Sequence, residues 1–351
     1  MDSANPTKKA LSLLFLTAGA ALLGWSLAMD CMGGGQLYQY RGAVLIIGII
    51  GFFAGLYLFP TMTHHRDIVN VIFLFPLLFT FGVTVIIPLV LGIFYSMTDW
   101  TGIRYTQFVG LANYAQMFRE VSFLWSLLIT VLFVVFNMVL VNLVGFALAL
   151  LCTSRLKGVG FFRAAYFLPN LIGGIVLGYV WQFVFNNVLV KVTGASLLTK
   201  TPSAFAAIII VYIWQYAGYI MLIYVNGLVT VPGDVLEAAA IDGANAFTTL
   251  LRIKIPMIAS TITICTFLTL TSAFKQFDVN MALTNGTGSV MDFMGQYLSN
   301  GTQMLALNIY NTAISKNSYA LGQAKAVLFF IILACVSLVQ VRISNSKEVE
   351  L

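Results

Sequence analysis

The sequence predicts an all-α fold, a polytopic bundle of about eight transmembrane helices. Three observations carry this reading. Hydrophobic residues fill 60% of the 351 positions. Asp, Glu, Lys and Arg together supply 9%, against about 25% in a typical soluble domain. Mean hydropathy is +0.94. So little charge cannot cover a water-facing surface, which excludes a soluble enzyme and a disulfide scaffold. The formal charge of +6 comes with no basic run interleaved with aromatics, so nucleic acid is excluded as a partner. Short loops carrying topology signals account for that charge better.

Leu11–Met29 and Ala43–Phe59 read as a first hairpin joined by the polar, Gly-rich Asp30–Gly42. A second span follows the first at once, with no small-x-small cleavage site, so the opening Lys8-Lys9 and apolar run read as an uncleaved anchor. The third span, Asn70–Tyr95, carries Pro76 and Pro88, tolerable where neighbouring groups satisfy the freed carbonyls. The fourth is Phe123–Leu151, the fifth Ala165–Phe185, the sixth Ala204–Val229, the seventh Met257–Phe277 and the eighth Ser318–Val341. This crossing number puts both termini on one side. If that side is the cytoplasm, ten of the 18 basic residues lie inside (Lys8, Lys9, Arg66, Arg155, Lys157, Arg163, Arg252, Lys254, Arg342 and Lys347) and eight lie outward, the bias the positive-inside rule asks for.

Met97–Ser122 and Asp278–Asn317, on the outer side, are too long for turns; they suit a docking platform or are undirected loops. On the inner side lies Thr230–Pro256. Pro232 and Gly233 end the sixth span, Asp234 can cap a new helix, and Val235, Leu236, Ala238, Ala239 and Ile241 recur near a helical period. Gly243 allows a reversal before a second short helix, Ala246–Ile255. Such an element is either a partner-docking surface or an amphipathic linker.

Glu237-Ala238-Ala239, three residues, Gly243, nine residues, then Ile253-x-Ile255-Pro256 resembles the EAA loop of ABC-importer membrane subunits, with Ile255 where the family has Leu. The fuller string VPGDVLEAAAIDGANAF is similar to the carbohydrate branch, as are VGLANY at Val109–Tyr114, RAAYFLPN at Arg163–Asn170, FKQFDVNMALTNG at Phe274–Gly286 and the small-residue opening of the last helix near Gly322. The resemblance covers residues 70–341, with 1–69 as a hairpin outside it and 342–351 as a cytoplasmic tail. It implies a type I ABC-importer permease fold, with Glu237, Ala238, Ala239, Asp242 and Gly243 coupling to an ATPase. It also implies a second permease subunit, two ATPase subunits that hold ATP and magnesium, an extracytoplasmic sugar-binding protein, and a bacterial inner membrane with both termini cytoplasmic.

Intramembrane charge is scarce. Lys275 and Asp278, three apart at the outer end of the seventh span, read as a snorkelling pair; Lys325 in the eighth has no such explanation. The path is therefore neutral, as an uncharged hydroxyl-rich substrate requires. A sugar is held by aromatic faces and by amides or hydroxyls. Tyr212, Gln215, Tyr216 and Tyr219 share one face of the sixth span, and Thr269, Ser272 and Gln276 form a stripe on the seventh; packing of helix on helix is the competing reading. These positions resemble sugar-contacting ones of the maltose permeases, and Asn170 matches a further contact. Tyr216 stands where that relative has Gly, and Ala273 where it has Asn, so the resemblance implies a sugar path rather than one particular sugar.

No G-x-x-x-x-G-K-[ST] loop occurs, so ATP has no phosphate cradle here. His64 and His65 stand together without an H-E-x-x-H motif, and four scattered cysteines form neither a zinc site nor a disulfide framework. No catalytic residue, metal or cofactor is assigned to this chain. A self-contained carrier or channel for a neutral polar solute, the alternative, calls for inverted repeats and intramembrane carboxylates, which the sequence does not display.

Overall fold

The computed structural model describes residues 6–32, 40–58, 65–105, 107–154, 157–286 and 301–345, and helices form nearly all of them. Six are long and apolar enough to cross a membrane: Arg41–Leu58, Phe73–Ser96, Val121–Cys152, Gly174–Val192, Thr201–Val229 and Tyr319–Arg342. A seventh arises if Ala246–Met257 and Ala259–Phe274, bent by 74°, form one span. The first predicted span contributes the shorter apolar stretch Ala10–Ser26, so the expectation of about eight is an upper figure.

The chain divides into two compact units, Met1–Leu91 and Gly92–Leu351. In the first, α1 (Pro6–Met32) and α2 (Arg41–Leu58) form the hairpin. Ser12 Oγ donates to the Gly55 carbonyl at 2.7 Å and Ser26 Oγ to the Arg41 carbonyl at 3.3 Å. A Cβ at Gly55 would stand 2.6 Å from the Leu16 nitrogen, whereas one at Gly51 meets only ordinary contacts, so Gly55 is the tighter member of that glycine pair. The link 33–39, and 59–64 with His64, lie outside the described residues. α3 (His65–Phe81) passes through the π-helical turn Gly82–Ile86 into α4 (Ile87–Ser96), which continues into the second unit. The widened turn immediately precedes Pro88, whose ring would clash with a carbonyl of a regular helix.

The second unit continues with α5 (Ala112–Arg119), α6 (Val121–Cys152) and α7 (Val159–Phe167). The predicted fifth span is broken: a 3-10 turn, Leu168–Leu171, follows α7, then come α8 (Gly174–Phe183), the π turn Val184–Val188 and α9 (Val190–Thr193). Next is α10 (Thr201–Val229). The loop Thr230–Pro256 holds α11 (Gly233–Ile241), α12 (Ala246–Thr249), the π turn Leu250–Lys254 and α13 (Ile255–Met257), followed by α14 (Ala259–Phe274), α15 (Asp278–Thr284), α16 (Leu305–Tyr310), the π turn Asn311–Ser315 and α17 (Tyr319–Asn345).

The core lies where α6, α10 and α14 meet. At Gly218 a Cβ would overlap the Tyr166 carbonyl oxygen, and one at Gly145 would stand 2.9 Å from Ile220. The small residues let backbones approach where the bilayer gives no hydrophobic drive to association. Gly178 does the same for α8 on α15, a Cβ there lying 2.6 Å from Ala282. Buried amides and hydroxyls then tie the helices together. Tyr224 Oη donates to Asn142 Oδ1 at 2.9 Å, and Asn142 Nδ2 donates to the Met138 carbonyl at 2.7 Å and to Thr269 Oγ1 at 3.3 Å.

The described residues of both segments expected on the outer side are held in place by hydrogen bonds. In Met97–Ser122, Asn113 Nδ2 donates to the Ser96 and Thr98 carbonyls at 2.8 and 2.9 Å, and Tyr114 Oη meets Ser96 Oγ at 2.7 Å. The Asn and Tyr of the VGLANY string thus staple this segment to the end of α4. In Asp278–Asn317, of which 287–300 lie outside the described residues, Asn280 Nδ2 donates to the Thr302 carbonyl at 2.8 Å. Trp125 Nε1 donates to the Gly301 carbonyl at 2.9 Å, and Thr130 Oγ1 accepts from the Leu305 amide at 2.8 Å.

Candidate functional site

The loop Thr230–Pro256 is shaped by its caps. α11 begins at Gly233, one residue ahead of Asp234, whose Oδ1 accepts from the adjacent Val235 amide at 2.9 Å; Asp234 lies in the first turn rather than at the cap. α11 closes in a Schellman arrangement. Gly243 holds φ +74°, its amide donates to the Ala240 carbonyl at 3.1 Å, and the Ala244 amide donates to the Ala239 carbonyl at 2.9 Å. Asn245 then caps α12, its Oδ1 accepting from the Thr248 amide at 2.7 Å. The expected single helix Ala246–Ile255 instead widens into a π turn ahead of Pro256, as α3–α4 does ahead of Pro88.

This geometry sorts the loop into two faces. Ala239 is buried and Leu236 packs on the core. Glu237, Ala238, Asp242 and Gly243 are exposed. So are Ile241, at 86%, and Phe247, at 69%; Ile241 belongs to the apolar period expected of this helix, and Phe247 was not singled out from sequence, although it is a large apolar residue in a short loop. A Cβ at Gly243 meets nothing within 4 Å, so within this chain its requirement is the left-handed backbone, not space.

The expected path residues separate likewise. Tyr216, Tyr219, Asn170 and Ser272 are half-buried. Tyr212 is fully buried, stacked on Tyr216 with centroids 4.3 Å apart and edge-on to Phe133 at 5.1 Å. Gln215 is buried and its Nε2 donates to the Ile172 carbonyl at 3.3 Å, bracing α10 against the break between α7 and α8. Asn170 sits in that break. Thr269 is buried in the Asn142 bridge. Gln276 is buried with its Nε2 unpartnered, and it lies beyond the end of α14, so it does not share a helical stripe with Thr269 and Ser272.

The same turn separates Lys275 from Asp278, the first closing α14 and the second opening α15. Both are exposed and they form no ion pair with each other. Helical i, i+3 spacing does not apply across the break between the two helices.

Residues 158–348 match the family described as "Binding-protein-dependent transport system inner membrane component". The probable starch degradation products transport system permease protein of Thermoanaerobacterium thermosulfurigenes is 39% identical over 287 residues, covering 80% of this chain and 95% of that protein. The chain belongs to this family of transport permeases. The multiple sugar-binding transport system permease protein of Streptococcus mutans is 31% identical over 275 residues, covering 75% and 90%. Among solved structures, a chain of a bacterial ABC transporter involved in the import of the acidic polysaccharide alginate superposes with a TM-score of 0.68 at 17% identity, covering 81% of this chain and 97% of that one. That likeness shows the fold. The permease is a multi-pass membrane protein.

Lys325 of the permease has an account in the structure. Its side chain is fully buried, and Nζ donates to Glu120 Oε2 at 2.6 Å, to Thr312 Oγ1 at 2.8 Å and to Asn308 Oδ1 at 3.0 Å, with the Phe123 ring centroid 5.6 Å away. One ammonium thereby joins the start of α6, α16, the following π turn and α17. Arg163, inside the RAAYFLPN string, donates from Nη2 to the Cys152 carbonyl at 2.7 Å, closing the end of α6 where a cation complements the helix dipole.

Proposed function

We propose that this permease passes a sugar or oligosaccharide into the cytoplasm as the membrane subunit of an ATP-driven importer. Residues 70–341 form its transport domain and cross a bacterial cell membrane with both termini cytoplasmic. A second permease subunit completes the path, two ATPase subunits dock beneath, and an extracytoplasmic binding protein delivers the sugar. ATP and magnesium belong to the ATPase subunits, and this chain carries no cofactor. The observation that carries this reading is the capped inner loop, which presents Glu237, Ala238, Ile241 and Phe247 to a partner while Leu236 and Ala239 anchor it.

The sugar follows from the path. Tyr216, Tyr219, Asn170 and Ser272 offer aromatic faces, an amide and hydroxyls without a carboxylate among them. The relatives named for starch degradation products and multiple sugars point the same way. Tyr219 is half-buried and its hydroxyl has no hydrogen bond among the described residues, which leaves it for a ligand. Tyr219→Phe removes that one hydrogen bond, about 0.5–1.5 kcal/mol or roughly 2- to 13-fold in affinity. The check is uptake of a mono-, di- and trisaccharide panel by the reconstituted importer at matched abundance. Uptake of at least one sugar, weakened by this variant, supports the reading; a wild type that moves none overturns it.

A further inference from the structure

A cavity of about 500 Å³ opens beside the end of α15, between Met281 and Asn285 on one wall and the α16–π-turn segment on the other. Its floor is pre-set. Asn308 Nδ2 donates to Gln303 Oε1 at 3.1 Å, its Oδ1 accepts from Lys325, and Thr312 Oγ1 donates to the Asn308 carbonyl at 2.8 Å while accepting from Lys325. These groups are all but closed to solvent, and their mutual bonds fix their positions before any ligand arrives.

The rim is different. Asn285 is held at φ 49° where α15 ends, is exposed, and its side-chain amide makes no hydrogen bond among the described residues. Asn311 uses only its Oδ1, in a long 3.4 Å contact from Ser315 Oγ, leaving Nδ2 available. Tyr310, 37% exposed, leans on Phe277 with centroids 5.2 Å apart. Among the described residues no carboxylate lines the cavity, and its one charge is Lys316. Amide groups left available at Asn285 and Asn311, beside an aromatic ring for a C–H face, suit the hydroxyls of a neutral saccharide, and the volume lies in the range of small-molecule pockets.

We propose that this cavity is a second saccharide site, distinct from the path at Tyr216 and Tyr219, where sugar is held before passing inward. The Tyr310–Phe277 contact sets it next to Gln276. The inference rests on the sugar reading above.

The experiment is equilibrium binding of radiolabelled maltotriose to the assembled importer in nanodiscs, without the binding protein. Two sites are expected. Asn311→Ala and Asn285→Gly, the latter keeping the left-handed backbone, each weaken one site about fivefold or more and leave the other unchanged. Tyr219→Phe does the reverse. A single site, sensitive to Tyr219→Phe and untouched by both cavity variants, overturns the cavity site while sparing the sugar reading. Failure of maltotriose and of every mono- and disaccharide tried to bind overturns the sugar reading and this site with it. Normal saccharide binding combined with loss of binding-protein-stimulated ATP hydrolysis in the cavity variants makes the cavity a protein dock and overturns the proposal.

Discussion

Glu120→Leu is expected to destabilise the permease by about 3–5 kcal/mol, the cost of leaving one member of a buried ion pair behind. The fully buried Lys325 loses the carboxylate at 2.6 Å and keeps only two neutral acceptors, Asn308 Oδ1 and Thr312 Oγ1. Lys325→Met acts differently. Glu120 is 26% exposed and regains water, so the main loss is that Asn308 Oδ1 becomes an orphaned acceptor, at about 1–3 kcal/mol, while Thr312 Oγ1 keeps its bond to the Asn308 carbonyl. The double variant removes both charges together. Its cost should fall below the sum of the singles by about 0.5–3 kcal/mol, the coupling typical of contacting residues. Thermal unfolding of the purified chain in nanodiscs reads all three. Wild-type midpoints for both single variants would show that the cluster contributes nothing to holding α6, α16 and α17 together.

Ile241→Asp and Glu237→Lys are expected to abolish ATPase docking while leaving the chain folded. At 86% exposure, Ile241 makes few contacts for a substitution to disturb within the permease. Burying it against a partner is worth about 1.5–3 kcal/mol, roughly 10- to 150-fold in affinity, and a carboxylate in its place adds desolvation to the loss. Gly243 divides two explanations. Because φ is +74° and the surrounding space is open, Gly243→Asn, which tolerates left-handed backbone, should preserve the loop in the free chain. Normal docking by Gly243→Asn with failure of Gly243→Val assigns the glycine to conformation; failure of both assigns it to close approach by the partner. ATPase co-purification at matched membrane abundance is the measurement. Retained co-purification in both Ile241→Asp and Glu237→Lys removes the docking role.

Much of this was legible in the sequence because bilayer physics writes in long runs. The spans Val121–Cys152 and Thr201–Val229 lie within a few residues of their predicted bounds, and Gly243 by itself pointed to the reversal that the Schellman cap realises. Short-range signals failed where a tertiary contact decides. α15 and α16 are polar enough to read as loop, yet Asn280 and Thr302 are buried against each other and Asn308 is buried against α6 and α17. Lys325 looked anomalous because its counter-ion, Glu120, is 205 positions away. A stripe of Tyr212, Gln215, Tyr216 and Tyr219 marks one helix face but not how deep each residue sits along it. Tyr212 and Gln215 proved buried, Tyr216 and Tyr219 half-buried. Gln276 left its stripe because α14 stops at Phe274.

Reconstitution tests the importer reading most directly. The purified chain alone in sealed vesicles, supplied with ATP or a proton gradient, is predicted to accumulate no sugar. Its sequence has no phosphate-cradling loop, and accumulation requires an energy source that discriminates between inward- and outward-facing states. Adding the second permease, the ATPase subunits and the binding protein should produce ATP-dependent accumulation. Uphill uptake driven through the single chain by an ion gradient would contradict the reading and make the protein a self-contained carrier.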